Sequence, residues 1–218
     1  MPVIPLEQIR PGKQLNIGAG EVIQKACLMF VVGALIGIVA KYSDTVPSNN
    51  SAWIFFNFLR DVTSRLGIWI IIAALISTWS INPKIASVKV FAFFAGLLLA
   101  YYLYSKFLFG FFPTYYFLSW GMIAAFSPLA AFLVWFSRGQ GWLAAIAAGA
   151  PIAMLLAQGY PLVYTFSAMP AFDILAAVAL FIFLPDGRKQ HYKTAAVAVF
   201  AALLIANLRI WPNLFGGF

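Results

Sequence analysis

Apolar runs alternate along this chain with short breaks of glycine, proline, asparagine and charged residues. The runs predict membrane-spanning helices at about 22–40, 66–80, 85–105, 115–137, 142–158, 162–184 and 193–210. A helix needs about 20 mainly apolar residues to cross the hydrocarbon layer. Residues 66–80 fall short of that, so part of 52–65 is expected to enter the head-group region. The region 41–66 is the longest polar stretch. Ser48, Asn49, Asn50 and Ser51 supply an N-cap there, and Trp53, Phe56 and Leu59 follow at roughly helical spacing. That pattern predicts an interfacial helix over 51–62, or a tilted continuation into the next span. The fold class is all-α, a polytopic helical integral membrane protein of about seven spans (six to seven).

The clearest landmark is residues 86–120. One apolar run ends in Tyr101, Tyr102, Tyr104 and Lys106, turns over Gly110 and Pro113, and resumes through Tyr115 and Tyr116. Asn82-Pro83 breaks the preceding helix. Pro128 and Pro151 fall inside runs and predict kinks, because proline lacks an N–H and crowds the turn before it. Pro170 allows two divisions. A span over 171–184 is too short, so 162–184 with Pro170 as an internal kink is taken. Gly33 and Gly37 give a GxxxG spacing that permits close helix approach. Ala144, Ala145, Ala147, Ala148, Gly149, Ala150 and Ala153 predict tight packing of the fifth span, and Ala198, Ala202 and Ala206 recur at four-residue intervals in the seventh.

Composition agrees. The chain is 63% hydrophobic and 9% charged, with mean hydropathy +0.92, against about 25% charged in ordinary globular chains. A water-soluble fold of this size would expose a large apolar surface, whereas a bilayer accepts apolar side chains outside as well as inside. The formal net charge is +8. The charges stand singly between apolar runs, which fits topology and anionic lipid head groups and argues against nucleic acid. Nine Lys and Arg fall on the N-terminal side of the expected spans and five on the other, which places the N-terminus in the cytoplasm of a cell-membrane protein. The organisation read from this is a surface segment at 1–21, one transmembrane bundle over 22–212 and a short tail at 213–218. The first run reads as a retained span, since no good cleavage pattern follows it. With Cys27 and His191 each the sole residue of its type, no intrachain disulfide and no histidine-rich metal site is expected, and no cofactor is implied.

Candidate chemistry is sparse. Asp173 is set about halfway through the sixth span, where an ionised carboxylate costs about 2.5–3.5 kcal/mol on insertion scales. It must face the bundle or a cavity, be paired, or be protonated. It reads as a proton, cation or substrate contact, as a structural hydrogen-bond partner or, if the register of that span is shifted, as a residue near an interface. Of Asn57, Arg60, Asp61 and Arg65, Asn57, Arg60 or Asp61, and Arg65 fall roughly on one helix side by three- and four-residue spacing, either as a polar site at a cavity mouth or with the arginines meeting lipid phosphates. Tyr102, Lys106 and Tyr115 belong to the aromatic turn, where tyrosines serve as interfacial anchors or as a ligand pocket. Lys106 is four residues from Tyr102, within reach of its ring. No HExxH, GxSxG, GxxxxGK[ST] or GxGxxG motif is present, so the chain leans away from being an enzyme.

Three functions fit this pattern. The first is a small-solute membrane transporter, or the membrane-embedded substrate-binding subunit of one, with membrane lipids and other transporter subunits as partners. The second is an intramembrane enzyme acting on lipid or isoprenoid substrates. The third is a non-catalytic structural, assembly or immunity-type membrane protein.

Overall fold

The computed structural model describes residues 10, 18–46 and 54–207, and these are helical with no strand. The rest of the expected N-terminal surface segment, residues 51–53 of the expected interfacial helix, Trp211-Pro212 and the tail at 213–218 lie outside the described residues. The helices are α1 (Ala19–Thr45), α2 (Ile54–Thr63), α3 (Leu66–Thr78), α4 (Pro83–Phe109), α5 (Thr114–Val134), α6 (Gly141–Gly159), α7 (Ala168–Phe183) and α8 (Arg188–Asn207). Short 3-10 turns at Trp135–Arg138 and Tyr160–Val163 extend α5 and α6. With these turns, four helices are long and apolar enough to cross a membrane: Ala19–Thr45, Pro83–Phe109, Thr114–Arg138 and Gly141–Val163. Leu66–Thr78 and Ala168–Phe183 are apolar but shorter.

The breaks form where local chemistry demands them. Asn82 Oδ1 accepts the Ile85 N–H at 2.8 Å, and Pro83 starts α4, a position whose N–H would be unsatisfied anyway. Gly110 ends α4 at φ 73°, with its N–H donating to the Lys106 carbonyl at 2.9 Å, a left-handed cap that suits glycine. Pro128 lies within α5 without ending it. The carbonyl it would have bonded belongs to Ala124, and the Ser127 hydroxyl donates to that oxygen at 2.7 Å. The freed group is thereby satisfied from the same turn.

Two boundaries differ from the sequence expectation. Pro170 sits in the first turn of α7, behind the N-cap Ser167. Its missing N–H needs no partner there, so the residue opens a 16-residue helix and kinks nothing. Asp173 therefore stands in the second turn of α7 and not at mid-span. The gap expected between the spans at 162–184 and 193–210 is shorter too. Gly187, at φ 84°, makes the turn, and α8 begins at Arg188.

Close contacts fix the helix directions. A Cβ at Gly33 would run into the Phe93 carbonyl, one at Gly37 into the Leu97 carbonyl and one at Gly96 into the Phe30 carbonyl. The Tyr101 hydroxyl donates to Asp44 Oδ2. These partners advance together along the chain, so α1 and α4 run parallel, backbone against backbone. The α6–α8 pair is parallel as well. Gln190 Nε2 donates to the Gly141 carbonyl at 2.9 Å, and a Cβ at Gly149 would press on Val197. The small-residue face of α6 is buried at Ala144, Ala145, Ala147, Ala148, Gly149 and Ala153, whereas Ala150 is exposed; on α8 only Ala198 of the alanine series is buried. Outward side chains such as Leu28, Val31, Leu35 and Ile38 of α1 are exposed and apolar, the outer surface expected of a helix facing lipid.

At one end of the bundle, Arg10 ties two helix ends together. Its Nη1 donates to the Trp135 carbonyl at 2.5 Å and its Nη2 to the Thr78 carbonyl at 2.9 Å, while its guanidinium lies 4.2 Å from the Trp135 ring centroid. Burial, and secondarily Arg138, lowers the Arg10 pKa from its ordinary value. A cation at the carbonyl ends of α3 and α5 also meets their negative dipole ends. Replacing Arg10 with alanine is expected to cost about 1–2 kcal/mol of stability. Lysine, lacking the planar fork, should recover less than half of that loss in thermal unfolding in mild detergent.

Candidate functional site

A cavity of about 650 Å³ occupies the opposite end of the bundle. Its walls come from the last turns of α1 and α4, the first turns of α5, and the junction between α2 and α3. Lys41 and Asp44 enter from α1, and Tyr101, Tyr102 and Ser105 from α4. Tyr116 and Trp120 enter from α5, Arg65 and Trp69 from the α2–α3 side, and Gln158 from the end of α6. The volume is that of a small-molecule site, largely apolar with a few convergent polar groups.

The aromatic wall is organised by local spacing. Tyr102 is buried, with its ring 5.4 Å from Phe117 and 5.9 Å from Phe112 in edge and tilted contacts. Trp69 is buried too, and its Nε1 donates to the Thr63 carbonyl at 3.0 Å, which holds the α2–α3 turn against the cavity. Lys41 Nζ lies 4.9 Å from the Tyr101 ring centroid, 5.1 Å from that of Phe109 and 3.5 Å from Asp44 Oδ2. Lys41 is thus occupied by its own neighbours on three sides.

Arg65 differs. It stands between α2 and α3 at the N-cap of α3, where no helix of its own consumes its side chain. Its Nη2 reaches Asp173 Oδ2 at 2.5 Å and the Gln158 carbonyl at 3.4 Å. The Asp173 side chain is completely buried, whereas that of Arg65 is one-third exposed. Asp173 does not line the cavity; it pairs with Arg65, which does. Three polar atoms at this place are buried without a protein partner, namely Asp173 Oδ1, Gln158 Oε1 and Arg65 Nε. Gly67 makes the arrangement possible. A Cβ there would collide with Asp173 Oδ1 and stand 3.5 Å from Gln158 Oε1. Two acceptor oxygens therefore face each other across a glycine in the interior. Among the described residues, no group of three His, Cys, Asp or Glu could hold a metal ion.

The residues singled out from sequence separate into different places. Asp173 and Tyr102 come to the cavity region, one behind its wall and one in it. Lys106 and Tyr115 are exposed and do not line this cavity; there it is Lys41 that meets the aromatic rings, whereas Lys106 is exposed on the last turn of α4. Arg60 and Asp61 pair with each other at 3.3 Å on α2, away from the cavity lining. Asn57 Oδ1 is buried without a partner on the same helix. Arg65 does not share a helix face with these three, because α2 stops at Thr63. Gln158, Lys41, Asp44 and Gly67 carry no signal in the sequence beyond standing near helix ends, and only the packing brings them together.

No curated protein and no solved structure matches the chain. A family model described as a family of unknown function (DUF6518) matches residues 18–216, nearly the whole chain, and the protein belongs to that family.

Proposed function

We propose that this protein is a multi-pass cell-membrane protein that binds a small organic solute in the cavity beside Arg65, as a transporter or as the membrane-embedded substrate-binding subunit of one. The observation that carries this reading is the cavity itself. It joins about 650 Å³ of largely apolar wall, in which seven aromatic side chains take part, to a partly exposed arginine backed by a buried acid. A bundle built only for scaffolding gains nothing from a buried, incompletely bonded carboxylate. An enzyme would need further polar groups converging on one point, and Arg60 and Asp61 lie elsewhere.

The parallel pairs support seven crossings. If α1 and α4 cross in the same direction, the chain returns between them through α2 and α3 together. Likewise α7 returns the chain between α6 and α8. α3 alone, with 13 residues, reaches about 20 Å at 1.5 Å per residue, so the return needs α2 or a locally thinned bilayer. The charge asymmetry then sets the Arg10 end in the cytoplasm and the cavity toward the outer face.

Ser105 is buried in the cavity wall, so Ser105→Trp fills the space without touching a charge. Protein purified in mild detergent should carry a small molecule visible by native mass spectrometry. The variant should lose at least about tenfold of that occupancy, equivalent to about 1.4 kcal/mol, while keeping its helical circular dichroism. Equal occupancy in the folded variant would place the ligand elsewhere and sink the proposal.

A further inference from the structure

We infer that the cavity takes solutes bearing an anionic group, and that the anion displaces Asp173 from Arg65 so that binding is coupled to uptake of one proton on Asp173. The inference rests on the solute-binding reading above and specifies its ligand.

Arg65 is the cavity's available cation. Lys41 is held by Asp44, while the Arg65 side chain is one-third exposed. A guanidinium offers five donors in a planar fork suited to a carboxylate or phosphate. Asp173 uses only one of its oxygens on that fork. An anion arriving in the cavity therefore competes with a single-oxygen contact for the same guanidinium.

What happens behind Arg65 decides the coupling. Asp173 is fully buried, and a buried charge stripped of its partner neutralises in preference to remaining ionised. Among the described residues, the groups around it leave no substitute cation; Arg60 of the neighbouring α2 is paired with Asp61. Gly67 and Gln158 face it from α3 and α6, and its neighbour Phe172 meets Phe58 of α2. Lys41, Asp44, Tyr101, Tyr102 and Tyr116 belong to the cavity beyond Arg65. The charged residues of α8 lie at its other end, beside Gly141 and Trp142. A proton on Asp173 Oδ1 would have a ready acceptor in Gln158 Oε1, the unpartnered oxygen that stands over the same glycine. Gln158 serves both states, because its amide turned by half a rotation donates to the ionised carboxylate. The exchange balances. One anion enters and one proton follows from solvent; Arg65 keeps its charge and Asp173 loses its own.

The test uses the full-length protein in detergent and three carboxylates, namely benzoate, indole-3-acetate and octanoate, each beside its neutral amide. Titration calorimetry in two buffers of different ionisation enthalpy counts the protons taken up. Over about pH 6 to 8 such probes stay ionised. The carboxylates are expected to bind with close to one proton gained. By linkage, their affinity should rise up to about tenfold for each unit the pH falls. The amides should show neither effect. Asp173→Asn, which mimics the protonated acid and can donate to Gln158, should hold the carboxylate at the wild type's low-pH strength at every pH, with no proton gained. His191 is present in both proteins, so the comparison removes any contribution from it. Carboxylate binding without proton uptake, or with uptake that persists in a folded Asp173→Asn protein, overturns the coupling and leaves solute binding standing. Amides binding as well as carboxylates overturns the anion preference. If no probe of either kind binds, the cavity reading fails and this inference falls with it.

Discussion

Arg65→Ala is expected to destabilise the protein by about 3 kcal/mol, the lower part of the range for breaking a buried ion pair, because the Arg65 side chain is one-third exposed. The loss comes less from the missing attraction than from what remains. Asp173 would sit completely buried with no cation and with its second oxygen still unpartnered. Removing both charges should hurt less than removing one. Arg65→Met combined with Asp173→Leu leaves no orphaned charge and refills much of the volume, so it should regain most of the stability. Equilibrium unfolding in mild detergent separates the cases. If the single alanine variant unfolds at the wild-type denaturant concentration, the pair is not holding α7 against the α2–α3 junction. The double variant should also lose carboxylate binding, since restoring stability does not restore the guanidinium.

Gly37→Ala and Gly33→Ala are expected to cost at least about 2 kcal/mol each, in the range of overpacking a tight interface. The atoms a new methyl group would meet are the backbone carbonyls of Leu97 and Phe93. A backbone oxygen in the middle of a helix cannot turn aside as the tip of a side chain would. The methyl is accommodated only by moving α1 off α4. That separation also opens the Tyr101–Asp44 contact at the cavity wall. Gly20 supplies the internal control. It lies on the same helix with open space where its Cβ would stand, so Gly20→Ala should be neutral or slightly stabilising through helix propensity. Thermal unfolding of the three variants gives the comparison. Equal melting of all three would contradict the close α1–α4 contact.

The apolar runs were legible because the bilayer imposes a simple length and polarity rule on each helix separately. The breaks at Asn82-Pro83 and Gly110 were legible for a similar reason, since caps and turns depend on neighbours in sequence. The GxxxG pair likewise marked a face made for close approach, and that face does meet α4. Where two local rules competed, the sequence misled. Pro170 fits a kink or a first turn equally well, and the length argument chose the kink. In the structure a shorter helix starts directly after Ser167, which shifts Asp173 toward its N-terminal end. The pairing expected between Tyr102 and Lys106 failed because helical spacing says which residues are close, not which face is turned inward.

By itself, then, the sequence determined an all-helical fold with several helices apolar enough to cross a membrane, most element boundaries, and the isolation of one acid among apolar residues. Those features follow from interactions within a few residues or with the solvent. The partner of that acid was decided only by tertiary structure. Arg65 lies 108 positions away, and Gln158 and Gly67 come from two further helices. Nothing in residue spacing relates α3, α6 and α7. Their junction is set by which apolar faces and small residues let helices approach, and that packing turned a buried carboxylate into one paired on one oxygen and open on the other.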